Sequence, residues 1–151
     1  MFSQKWLLLL GLSVLFVGCS TNNYLALHSS AYRDNSPRNI GVRYLLGQGV
    51  KQNDEKAFYY FHQAALEGDA FAQNEVAYLY AAGKGTAKNN ALAFSWYQKA
   101  AQQNLVSAQY NLGLFYLHGI GTTPNKALAM EWFQQSAARG FQPAKTALER
   151  L

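Results

Sequence analysis

Residues 75–86 read EVAYLYAAGKGT, and the same stretch is written twice more, as NIGVRYLLGQGV at 39–50 and NLGLFYLHGIGT at 111–122. The offset is 36 residues each time, with no gap. Further along, KAFYYFHQAALEG at 56–68 returns as LAFSWYQKAAQQN at 92–104 and as LAMEWFQQSAARG at 128–140. A fixed period of roughly 20 to 50 residues marks a repeat array, in which each unit buries its apolar face only against its neighbours.

Each copy reads as two helices. In the first, Ala72, Val76, Ala77 and Tyr80 are spaced to share one face. Their equivalents are Ser36, Ile40, Gly41 and Tyr44, and Ala108, Leu112, Gly113 and Tyr116. In the second, Ala93, Trp96, Tyr97, Ala100 and Ala101 do the same. The aligned asparagines Asn53, Asn89 and Asn125 are expected to cap the second helices, since their side chains can accept an orphan backbone N–H. Those helices should end at Gly68, Asn104 and Gly140, where Asn tolerates the left-handed backbone best after glycine. Small residues at Gly41, Ala77 and Gly113 allow a close helix approach. The large ring at Tyr60, Trp96 or Trp132 is expected to fill the space beside each.

The run Gly83-Lys84-Gly85-Thr86 could pass for part of a phosphate-gripping loop. Gly47/Gly49 and Gly119/Gly121 occupy the same positions, with Gln48 and Ile120 in place of the lysine. A phosphate loop needs a longer Gly-rich run between a strand and a helix. The glycines are therefore read as helix terminators taking positive φ.

Composition agrees with helices. Half the residues are hydrophobic and 15% aromatic, with only three prolines, which is too apolar for disorder. The β-branched residues are too sparse for a sheet protein. The formal charge is +5, from 13 Lys and Arg against 8 Asp and Glu, and the basic residues from Arg33 to Arg150 are spread singly. That pattern gives no nucleic-acid footprint. His28, His62 and His118 stand at unrelated repeat positions, and the single cysteine leaves no Cys-based metal site. No Ser-x-x-Lys, Gly-x-Ser-x-Gly or His-Glu-x-x-His run occurs. No catalytic residue, metal, cofactor or small-molecule substrate is expected.

The pattern Ala-x-x-x-Leu-Gly-x-x-Tyr-x-x-Gly-x-Gly followed by Lys-Ala-x-x-Trp-x-x-x-Ala-Ala-x-x-Gly resembles the Sel1-like repeat, a relative of the tetratricopeptide repeat. The departures are Ser36 for Ala, Tyr60 for Trp, and Leu92 and Leu128 where the first copy has Lys56. The resemblance implies an all-α fold, an α-α superhelix of three hairpins at 36–71, 72–107 and 108–143. A capping helix over 144–151 follows, with Ala144 and Leu148 in first-helix register. Cysteine-rich members of the superfamily, described as β-lactamase-like, carry a cysteine pair in each repeat, and this chain does not.

The first residues, MFSQKWLLLLGLSVLFVGCS, have the layout of a secretory signal: Lys5, an apolar run from Trp6 to Val17, then Gly18 and Cys19. The ending FVGC resembles the lipobox of bacterial lipoproteins, with Phe16 in place of the usual Leu. The resemblance implies cleavage after residue 18 and lipidation of Cys19, the thiol being the nucleophile. Acyl chains would then hold the protein to the membrane. Ser20 after the cysteine implies outer-membrane sorting, facing the periplasm. Residues 19–35 read as a linker or a degenerate helix, with Tyr24 in the register of Tyr60.

In tetratricopeptide geometry the first helices line a concave groove. Residues off the buried face then point into it: Arg38, Val42, Leu45 and Leu46; Asn74, Tyr78, Ala81 and Ala82; Tyr110, Leu114, Leu117 and His118. This set is unusually apolar for exposed positions and suggests a docking face for a protein or peptide. Tyr78 and Tyr110 lead it, because aromatics supply contact area at low entropic cost. The expected role is a lipid-anchored envelope scaffold, or alternatively an envelope hydrolase or cell-wall-binding protein, or a structural filler.

Overall fold

A computed structural model of the protein describes residues 34–151. The expectations for the leader, for Cys19 and for Tyr24 lie outside the described residues. From Ser36 onward the chain forms one compact unit. It contains seven helices and, among the described residues, no strand: α1 (Pro37–Leu46), α2 (Asp54–Leu66), α3 (Ala70–Ala82), α4 (Asn90–Gln102), α5 (Val106–His118), α6 (Lys126–Ala138) and α7 (Gln142–Glu149). Each helix packs on its neighbours in sequence. The result is three hairpins, α1/α2, α3/α4 and α5/α6, closed by α7.

The punctuation follows the sequence. The first helices stop at Gly47, Gly83 and Gly119, with φ of 70°, 67° and 65°. The next residue's N–H then reaches back to the carbonyl of Arg43, Leu79 or Phe115, satisfying acceptors the helix end leaves open. Asn53, Asn89 and Asn125 accept from the backbone N–H groups of Lys56, Leu92 and Leu128 at 2.7, 3.0 and 3.0 Å. Asn104 is left-handed, φ 66°, at the position Gly68 and Gly140 hold in the other copies.

The second glycine of each pair has a different task. A Cβ on Gly85 would collide with the carbonyl of Asp54, and one on Gly121 with the carbonyl of Asn90. Both carbonyls belong to the first turn of the preceding repeat's second helix. Successive hairpins thus meet backbone to backbone at these glycines, and Lys84, between Gly83 and Gly85, is exposed.

The ring that fills the space beside the small residue is not the one expected. A Cβ on Gly41 would lie 2.9 Å from the Phe61 ring, and one on Gly113 2.6 Å from the Phe133 ring. Phe61 and Phe133 are fully buried. They follow Tyr60 and Trp132 by one residue, which is about 100° around the helix. The inward stripe runs Ala57, Phe61, Ala64 in α2, Ala93, Tyr97, Ala100 in α4 and Ala129, Phe133, Ser136 in α6, all buried. Tyr60 and Trp132 sit beside that stripe, half-buried. Trp96 is buried against the preceding repeat, its ring edge-on to His62 at 5.7 Å. Other rings knit the second helices to the first: Phe58 with Tyr80 at 5.1 Å, Phe94 with Tyr116 at 5.2 Å and Tyr97 with Phe115 at 5.0 Å.

Buried glutamines pin the junctions. Gln73 donates from Nε2 to the Ala65 carbonyl at 3.1 Å, and its Oε1 accepts from Gln103 at 2.8 Å. One repeat on, Gln109 donates to the Ala101 carbonyl at 3.3 Å, but its Oε1 is buried without a partner. Arg139 stands where Gln103 stood, and it turns to the Oδ1 of Asn104 at 2.8 Å instead. An unmet buried acceptor costs about 1 to 3 kcal/mol, whereas an exposed hydrogen bond of this kind contributes little. Arg139→Gln is therefore expected to stabilise the domain by about 1 kcal/mol, read as a higher urea midpoint at unchanged slope.

α7 repeats the start of a first helix. Ala144 is fully buried, as Ala72 and Ala108 are, and Leu148 packs beside it on the third hairpin. Pro143 sits in the first turn, where its missing N–H costs nothing.

Candidate functional site

The face formed by α1, α3 and α5 holds the expected groove residues, and their environments differ. Arg38 is exposed. Its guanidinium meets the Asp69 carboxylate at 3.2 Å and lies 4.7 Å over the Phe71 ring, tying α1 to the start of α3. Val42 and Leu45 are half-buried against the core, while Leu46 is 59% exposed. Ala81 is half-buried and Ala82 exposed.

Asn74 is only 8% exposed. Its Oδ1 accepts from Asn111 at 3.2 Å and its Nδ2 donates to Glu75 at 3.0 Å, so it bridges α3 and α5 rather than standing open to solvent. Tyr78 is 41% exposed, with the Lys84 ammonium 5.7 Å from its ring. Tyr110 is half-buried between Phe133 and Phe141, at centroid distances of 5.6 and 5.5 Å. Leu114 and Leu117 are half-buried and His118 is exposed.

Tyr110, Leu114, Leu117 and His118 form one wall of an open cleft of roughly 720 Å³. The opposite wall is α7, through Pro143, Thr146, Ala147 and Arg150. Those α7 residues were not among the expected groove set. The signal was present in the register, since Thr146 and Arg150 stand one period after Tyr110 and Leu114.

Burial dominates the electrostatics here. The Glu75 carboxyl is held above the usual carboxylate range by desolvation, partly offset by the hydrogen bond from Asn74. The Tyr97 phenol is pushed up as well, first by burial and then by the Glu75 and Tyr78 charges facing it. A carboxyl whose folded pKa is raised holds its proton more tightly in the folded state. Stability then falls as pH rises through the unfolded and then the folded pKa. Glu75→Gln keeps an acceptor for Asn74 and removes the buried charge. The variant should match the parent in acid and become the more stable of the two toward neutral pH, as thermal melts across that range would show.

Among the described residues no group of three or more His, Cys, Asp and Glu could hold a metal ion. The face offers aromatic, aliphatic and amide groups for noncovalent contact.

The comparisons with known proteins match this architecture. The Sel1 repeat model matches residues 38–69, 70–105 and 106–141. The chain belongs to the Sel1 repeat family. A Sel1 repeat protein from Oxalobacter formigenes superposes with a TM-score of 0.71 at 37% identity, covering 85% of this chain and 98% of that one. A protective antigen present in uropathogenic Escherichia coli strains, with an SLR fold, gives 0.68 at 33% identity over 69% of this chain and 22% of that one. Cysteine-rich protein B of Helicobacter pylori, at 21% identity and a TM-score of 0.64, shares the fold. No curated protein matches the chain. Sel1 repeat proteins generally mediate protein–protein interaction, and the family is generally non-catalytic.

Proposed function

We propose that the protein is a lipid-anchored adaptor of the cell envelope, binding a protein or peptide along the α1/α3/α5 face. The observation that carries the reading is the apolar run Tyr78, Tyr110, Leu114 and Leu117. It lies on the side of the repeats that the stacking of hairpins does not consume. Aromatic and aliphatic side chains left part-exposed in a row supply contact area for a partner. The anchor is Cys19, and with it comes an outer-membrane position facing the periplasm.

Photo-crosslinking in living cells tests the face. A crosslinking residue at Tyr78 or His118 should capture the same specific partner, and one at Glu131 or Lys99, exposed on the second helices, should not. Equal capture from both sides would refute a recognition face. The anchor is tested by Cys19→Ser, which should move the protein from the membrane to the soluble fraction and abolish its labelling by a fatty-acid precursor.

A further inference from the structure

The groove is closed between α3 and α5 and open between α5 and α7, and the sequence says why. Asn74 and Asn111 join across the first gap at 3.2 Å. One period later their positions are held by Tyr110 and Ala147. A methyl group cannot bridge to a phenol ring as one amide bridges to another. Instead the ring turns onto Phe133 and Phe141, and the gap opens.

The cleft has an apolar floor and a basic rim. Phe133 lies at the floor, Tyr110, Leu114, Leu117 and Ala147 line the walls above it, and Arg150 and His118 stand with them in the lining. The lining contains no Asp or Glu side chain, and the main-chain oxygen of Leu151, also in the lining, accepts from Lys126 Nζ at 2.7 Å. The guanidinium of Arg150 makes no hydrogen bond or ion pair with the described residues, unlike those of Arg38, paired with Asp69, and Arg139, bonded to Asn104. Arg150, the C-cap of α7, stands one period after Leu114 in α5 and two after Tyr78 in α3. A charge therefore replaces an apolar side chain at the α5/α7 cleft. The volume lies within the range of clefts that take a ligand group, about 300 to 1,000 Å³.

We infer that the α5/α7 cleft is the specificity pocket of this binding face, and that it takes a bulky apolar side chain flanked by acidic side chains in a partner peptide. The apolar group displaces water from the floor while a carboxylate meets Arg150. A guanidinium fork suits a carboxylate better than any other protein group. The inference rests on the adaptor reading and names the chemistry of the partner.

The test uses the full-length chain in mild detergent and three short fluorescent peptides, read by anisotropy. One has a central tryptophan between glutamates, the second the same tryptophan between lysines, and the third alanine between glutamates. The first should bind at least about tenfold tighter than the other two. Arg150→Glu should reverse the preference between the first two peptides. Ala147→Trp, which fills the cleft, should remove binding of the first peptide, and Glu131→Gln, exposed on the second-helix side, should leave the preference intact. Circular dichroism melts confirm that each variant is folded. Equal binding of the three peptides, or an unchanged preference in Arg150→Glu, overturns the inference. If crosslinking from Tyr78 and His118 still captures one partner in that event, the pocket assignment falls and the adaptor reading stands. Face-specific capture failing while the peptide preference holds would remove the adaptor reading and leave the pocket.

Discussion

Replacing Gly121 by alanine is expected to cost the domain about 4 kcal/mol or more, whereas the same change at Gly49 should cost only about 1 to 2. The two residues hold the same place in their repeats and the same backbone conformation, with φ of 67° and 70°. The left-handed strain of a Cβ is therefore common to both. What differs is the surroundings. A Cβ on Gly121 would be driven into the Asn90 carbonyl, and one on Gly49 meets nothing within 4 Å. The obstacle at Gly121 is main chain at a helix start, which cannot rotate away as a long side chain can. Relief requires the third hairpin to move off the second, and in a repeat array that interface term holds neighbouring units together. A domain with a total stability of roughly 5 to 15 kcal/mol cannot absorb such a loss without consequence. Urea titration followed by circular dichroism should show a large drop for Gly121→Ala, with the third hairpin and α7 melting ahead of the rest. Gly49→Ala should keep a single transition. Equal losses at the two sites would mean that backbone strain alone explains the glycines.

The pair of variants also shows what the sequence could disclose. The 36-residue period was legible because each copy solves the same steric problems with the same residues: Asn at the cap, Gly at the left-handed stop, small residues where helices meet. The lysine between two glycines loses its phosphate-loop look by the same comparison. Other features were not legible. Tyr60 and Phe61 are adjacent aromatics, and composition does not say which of them turns inward; a shift of about 100° decides it. Asn74 falls on the groove side by register, but its partner Asn111 is 37 residues away in another repeat. The cleft arises from a contact that is missing, Ala147 in the place of Asn111. Such an absence shows only once α5 and α7 lie side by side.

Phe133→Ala should cause the second large loss, about 3 to 5 kcal/mol. The ring is fully buried. It lies flush on Gly113, where even a methyl group would sit 2.6 Å from it, and it supports Tyr110 at 5.6 Å. Removing it takes away buried apolar area and leaves a cavity between α5 and α6 that glycine cannot fill. Gly113→Ala alone should also destabilise, because the methyl collides with the ring. Together the two changes are expected to be less costly than their sum, since the methyl enters space the ring has vacated. A double-mutant cycle would read this as a favourable coupling of about 1 kcal/mol or more. The middle repeat already carries the intermediate solution, Ala77 with Tyr97 on the facing helix, both buried. Phe133 is also part of the floor of the α5/α7 cleft. Its loss should free Tyr110 and weaken the tryptophan-centred peptide even where the domain remains folded. Phe133→Leu keeps most of the volume and should lose less than about 1.5 kcal/mol of stability. If the alanine variant were to unfold no more readily than the leucine one, Phe133 would not be the wedge that seats α6 on α5, and the assignment of the inward stripe would fail with it.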